Sequence, residues 1–359
     1  MSFEEMNFTS SPNFRFQEIV TNKSDCLSST YQFDCYKDKK GNSILITPFF
    51  DDKNVLVKDY HISLINLKNN SVEKTLRDHK DRVVIVRHFQ DKETKNDYFV
   101  STDRQYNVIV WDLSNDCNKI FEKEVKYEGY IYSALLLFIK NNKYLVVSSI
   151  GGNNVTKVFD INDKNFVREI EVSRNLNIYF LEHWLNEEVM EDDEEKQNVI
   201  IQCGKGKIIF SEFPSNTVYH TIKKDDSNIY FLGGIVFKNN SRDVFAFADS
   251  FGLVQILDLA TKKIVQSFQF KNVKLYSFVR WNERYLLLND CLQRRIIVFD
   301  ISDLYKVKSR VLCPEMHYDR FIKKVWHPLY GESILSIGVD WAIKLYVPRD
   351  LTKPASKIK

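Results

Sequence analysis

One internal repeat constrains the fold of this chain more than any single motif. The segment FVSTDRQYNVIVWDL (99–113) is an apolar run, a polar turn and an alternating run closing on an acidic residue, the pattern of two strands joined by a tight turn. The same succession recurs along the chain and ends at Asn66, Asp112, Asp160, Glu212, Asp258, Asp300 and Val347. The intervals are 46, 48, 52, 46, 42 and 47 residues, a regularity that marks a repeat architecture. Each unit carries another strand-like run upstream (VVIVRHF, IYSALLLF, IYFLEHW, IYFLGGIVF, LYSFVRW, FIKKVWHP) and one downstream (SVEKTL, KIFEKEV, FVREIEV, TVYHTI, KIVQSF, KVKSRVL). Four short strands cannot bury both of their faces alone, whereas neighbours stacked around a ring can. The pattern therefore predicts an all-β, seven-bladed β-propeller of four-stranded antiparallel blades.

Composition agrees with that reading. The chain has 359 residues, long enough for one large closed β architecture. Phe and Tyr number 26 and 18, an aromatic richness that favours strands over helices. The net charge of +3 gives no strong field for polyanions. The opening MSFEEMNFTSSPNF has neither the basic nor the apolar region of a signal peptide. The longest apolar run, YIYSALLLFI (130–139), is far below the roughly 20 residues of a membrane span. Six cysteines without C-x-x-C spacing read as reduced thiols of an intracellular protein.

The units resemble WD repeats, and residues 40–350 as a whole resemble a seven-bladed WD-repeat β-propeller. The second unit is nearest the pattern: DHKDRVVIVRHF resembles the G-H-x-x-x-V start of the innermost strand, and VIVWDL supplies a literal Trp111-Asp112. The last unit follows, with His317, Ser336 and Asp340 in matching places and Tyr346 where the tryptophan belongs. The resemblance implies a buried tetrad of His, Ser or Thr, a turn Asp and Trp. His79, Ser101 and Trp111 fit it in the second unit, but Gln105 stands in the turn Asp place, so no copy is expected to hold the full tetrad. Ile65, Phe159, Ser211, Leu257 and Phe299 occupy the Trp place elsewhere, so apolar packing between blades is expected to hold most of the ring.

The expected boundaries are an N-terminal extension over 1–28, the propeller over 29–350 and a basic C-terminal tail over 351–359. The tail LTKPASKIK is too polar and Pro-interrupted to be a strand. The outer strand of the last blade is therefore expected from the N-terminus, STYQFDCY (29–36) first and FRFQEIV (14–20) as the alternative, which removes an open sheet edge.

A search for chemistry returns no convergent site. G-x-S-x-G, H-E-x-x-H and the P-loop are missing. Gly204-Lys205-Gly206 reads as a hairpin turn, not a phosphate loop. Arg294-Arg295 is followed by Ile296, not the Gly of phosphoinositide-binding propellers. The acidic run EEVMEDDEE (187–195) reads as a solvated loop inside the fourth unit. No catalytic residue, metal or cofactor is expected.

One pattern points outward. Tyr132, Tyr179, Tyr230 and Tyr276 open the innermost strands of successive units at spacings of 47, 51 and 46. Tyr106 and Trp341 in the strand–strand turns, and Arg294 and Arg295, fall on the same expected face around the channel mouth. Rigid amphipathic aromatics are preferred interface anchors. The expected function is a non-enzymatic scaffold in the cytoplasm or nucleus, a monomer or a subunit of a larger complex, that binds partner proteins or peptides there. The alternative is a phosphoinositide- or RNA-associated module using the basic part of that face.

Overall fold

The computed structural model describes residues 14–23, 32–51, 59–125, 129–150, 156–163, 165–170, 177–186, 198–226, 228–313, 319–328, 331–338 and 342–350. They form seven four-stranded antiparallel sheets. Six are sequential meanders spanning 34–76, 83–124, 130–170, 178–223, 231–269 and 275–313, which we number as blades one to six. Blade seven has three strands from 319–350 and a fourth from the N-terminal segment Phe14–Lys23, paired antiparallel with Ala342–Asp350. The segment favoured for that place, 29–36, is not used there. Asp34–Lys37 is instead the first strand of blade one, in register with Ser43–Ile46, because Cys35 packs into the apolar layer between blades seven and one.

The first strand of each blade lies against the first strands of its two neighbours, so these strands surround a central channel. Seven apolar clusters fill the spaces between adjacent blades, one per junction. Strand alternation produces them. In blade two, Val100, Val108 and Val110 face blade three, while Phe99, Ile109 and Trp111 face blade one. A strand packed on both faces has no solvent side, and all of Asp97–Asp103 is buried.

The same geometry explains why the tryptophan is dispensable. Residues in its place all point at the preceding blade: Ile65 at blade seven, Phe159 at two, Leu257 at four, Phe299 at five and Tyr346 at six. The position needs apolar volume, worth about 1.5–3 kcal/mol per buried large side chain, more than it needs an indole N–H. Blade four, with Ser211, substitutes a buried polar relay. Thr156 of blade three donates to Gln202 Oε1 at 2.7 Å, and Gln202 Nε2 donates to Ser211 Oγ at 3.4 Å.

Candidate functional site

The rim that carries the tyrosines is built from backbone irregularities. The first strands of blades three, four and six each contain a bulge near their start, between Ile131 and Ser133, Ile178 and Phe180, and Leu275 and Ser277. The residue left out of register is Tyr132, Tyr179 or Tyr276. A bulge re-aims its extra side chain away from the sheet packing, and all three tyrosines are half-buried. In blade five the bulged residue is Leu232, so Tyr230 is not its equivalent but lies two residues earlier. It reaches the same row by a different route, an isolated antiparallel bridge to Lys205 in the strand–strand turn of blade four.

Three of the four rings form a continuous ladder. Tyr132 meets Tyr179 edge to face at 5.8 Å and 84°, and Tyr179 meets Tyr230 at 5.3 Å and 87°, the arrangement favoured by the ring quadrupoles. Burial pushes the Tyr179 hydroxyl pKa up, opposed by a hydrogen bond with Asn177. The Lys205 ammonium lies 5.7 Å from the Tyr230 ring centroid. Beside the ladder, Tyr130 is 59% and Phe251 57% exposed. Repeat spacing does not single out Tyr130, which precedes the strand's inward alternation.

Backbone hydrogen bonds hold this rim together. Gly206 N donates to Ile229 O at 2.7 Å, Ser250 N to Tyr230 O at 2.8 Å and Arg104 N to Arg82 O at 3.1 Å. The first bond ties the turn of blade four to the connection leaving for blade five, and the other two tie a strand–strand turn to the connection arriving from the preceding blade.

The remaining rim residues divide. Tyr106 sits at φ 65° in its turn and packs partly into the blade two–three cluster, and its carbonyl accepts from Val125 N at 2.9 Å. Arg294 is exposed at φ 54°. Arg295 braces its own turn, donating from Nε to the buried Asp290 carboxylate at 3.0 Å. Trp341, His317 and Asp340 lie outside the described residues, as does the acidic run 187–195 between the first two strands of blade four.

Deeper in the channel, Arg87 of blade two passes blade three to reach blade four. It donates to Leu181 O at 2.7 Å and pairs with Glu182 at 3.3 Å, with Phe89 and Phe180 against the guanidinium. Lys323 of blade seven pairs with Asp34 of blade one at 3.1 Å, and Asp34 also accepts from His88 N of blade two. These contacts brace the lumen across blades two, four, seven and one.

The tetrad expectation needs correction. His79 Nδ1 lies 2.9 Å from Asp103 Oδ2, His79 Nε2 lies 2.7 Å from Ser101 Oγ, and Trp111 Nε1 donates to Ser101 Oγ at 2.8 Å. Blade two thus has a complete four-member chain, with Asp103 in the role assigned to a turn position held by Gln105. Every atom is satisfied when Trp111 donates to Ser101, Ser101 donates to a neutral His79, and His79 Nδ1–H donates to Asp103. Asp103 Oδ1 also accepts from Gln105 N and Asn107 N at 3.0 and 2.9 Å. Asp249 repeats this in blade five, accepting from Phe251 N and Leu253 N at 2.9 and 3.0 Å. That pairing of i+2 and i+4 amides is the signal that identifies the carboxylate.

No family model matches the chain, and no curated protein matches it. Among solved structures, it is similar to the crystal structure of the Myceliophteria thermophila Cps50 (Swd1) β-propeller domain, with a TM-score of 0.65 and 13% identity over 92% of this chain and 99% of that one. At that identity the likeness establishes the propeller fold.

Proposed function

We propose that this seven-bladed propeller is a non-enzymatic platform that holds partner proteins or peptides on its channel-mouth face and so helps assemble a complex, in the cytoplasm or nucleus. The observation that carries this reading is the half-exposed ladder of Tyr132, Tyr179 and Tyr230 across three successive blades. Such aromatics offer large area with few rotamers to freeze. The turns around them are already fixed by backbone hydrogen bonds, so binding requires little reorganisation.

The test begins with a partner captured on the tagged protein and then purified. Its affinity is measured by calorimetry for wild type and for the Tyr179→Ala/Tyr230→Ala double variant. Anchor residues cost about 1–2 kcal/mol or more each, so binding is expected to weaken by about 2–4 kcal/mol. Melting is expected to fall much less than for a core aromatic, whose truncation costs about 3–5 kcal/mol. Unchanged affinity, or a loss of folding that precedes any loss of binding, overturns the assignment.

A further inference from the structure

The sector of the rim over blades five and six has its own chemistry. Phe251 occupies the strand–strand turn of blade five and Leu292 that of blade six, 57% and 43% exposed. Between them runs the connection that carries Lys271 and Lys274, both exposed. It is strapped to both turns: Phe270 N donates to Gly252 O at 3.0 Å, Cys291 N to Lys274 O at 3.0 Å, and Gln293 Nε2 to Asn272 O at 3.0 Å. Two apolar side chains therefore flank two ammonium groups on a fixed backbone, with exposed Arg294 at the far side.

Among the described residues the charge here has no ion-pair partner. Lys271, Lys274 and Arg294 form no ion pair with a described carboxylate. The acids of the two flanking turns, Asp249 and Asp290, are buried, where they accept from Phe251 N, Leu253 N, Lys274 N and Arg295 Nε. The exposed cations thus project beside two turns whose own carboxylates are committed inward.

We propose that this sector docks an acidic segment of a partner protein, with Asp or Glu side chains over Lys271, Lys274 and Arg294 and bulky apolar side chains against Phe251 and Leu292. The inference rests on the channel-mouth reading and specifies the partner's chemistry. A protein segment fits better than single-stranded RNA for two reasons. Leu292 offers no ring for a base to stack on, and the tyrosine rings already present edges to one another's faces. The exposed Asp225 and Asp226 on the neighbouring connection also repel a phosphate backbone, charged at every nucleotide, more than a segment whose carboxylates are spaced by apolar residues.

The experiment selects peptides from a random 12-residue phage library against the full chain, then measures the enriched peptides by fluorescence anisotropy. The expected result is enrichment of sequences that mix several Asp or Glu with Leu, Ile or Phe. Their affinity is expected to fall about tenfold or more in Lys271→Glu/Lys274→Glu and several-fold in Phe251→Ala, with unchanged melting. It is also expected to weaken several-fold between 50 and 300 mM salt. No enrichment, neutral or basic winners, or acidic peptides indifferent to the charge reversal would overturn the proposal. So would tighter binding of oligouridine RNA or phosphoinositide vesicles that the same lysine reversal abolishes. A partner lost on Tyr179→Ala/Tyr230→Ala but retained on the lysine reversal leaves the channel-mouth reading standing and removes the acidic-segment proposal alone.

Discussion

Replacing Ser101 with Ala removes a single oxygen from the centre of blade two and isolates the energetic role of its polar chain. Ser101 is fully buried, and both of its partners, His79 and Trp111, are buried with it. The hydroxyl bridges them at 2.7 and 2.8 Å, so its loss orphans the His79 Nε2 lone pair and the Trp111 N–H together. A buried polar group left without a partner costs about 1–3 kcal/mol, and the void left by one oxygen is too small to admit a compensating water. The expected destabilisation is about 2–4 kcal/mol. Urea titration followed by Trp fluorescence measures it, at unchanged m-value. Ser211→Ala supplies the contrast, since Ser211 accepts one long bond from Gln202 at 3.4 Å and should cost no more than about 1 kcal/mol. A Ser101→Ala loss below about 0.5 kcal/mol, or no larger than that of Ser211→Ala, would show that the chain is geometric coincidence.

Two further outcomes follow from packing and from burial. A methyl added at Gly233 would lie 2.4 Å from the Tyr276 carbonyl oxygen, so Gly233→Ala must push apart the first strands of blades five and six; the expected cost is about 1–3 kcal/mol, and an unchanged denaturation midpoint would refute that tight approach. Burial holds the His183 pKa down to about 4, with Lys92 and Arg87 lowering it further and a hydrogen bond to Asn198 opposing. The folded state therefore binds fewer protons than the unfolded one. The stability it contributes is full above the unfolded value near 6.5 and is lost as pH falls toward 4, by up to about 3 kcal/mol. His183→Gln is expected to flatten the wild-type change in denaturation midpoint between pH 7 and pH 4.5, and an undiminished slope would exclude His183 as its source.

The repeat was legible because each blade is buried on both faces, and burial on both faces writes strand periodicity strongly into sequence. What spacing could not carry was anything decided by a one- or two-residue local irregularity. Asp103 was passed over because the turn carboxylate was sought at position 105, whereas the side chain that caps the turn amides sits two residues earlier. Tyr230 looked equivalent to Tyr132 and Tyr179, yet the bulge of blade five falls at Leu232, an offset that the shared Ile-Tyr pair does not reveal. The outer strand of blade seven was misjudged between two similar N-terminal runs. STYQFDCY (29–36) and FRFQEIV (14–20) alternate alike, and what separates them is tertiary, the packing of Cys35 at the blade seven–one junction. Exposed Leu292 puts no aromatic in its turn, so repeat spacing passes over it.

The most direct measurement of the central claim is a hydrogen-exchange footprint of the propeller with and without a purified partner. The channel-mouth account predicts slowed exchange at the rim, in peptides covering 130–134, 178–182, 204–207, 229–233 and 249–253, with the turns on the opposite ends of the blades, 91–96, 140–143 and 282–285, unchanged. Protection confined to those opposite turns, or to the outer strands of the blades, would place the partner elsewhere and contradict the account.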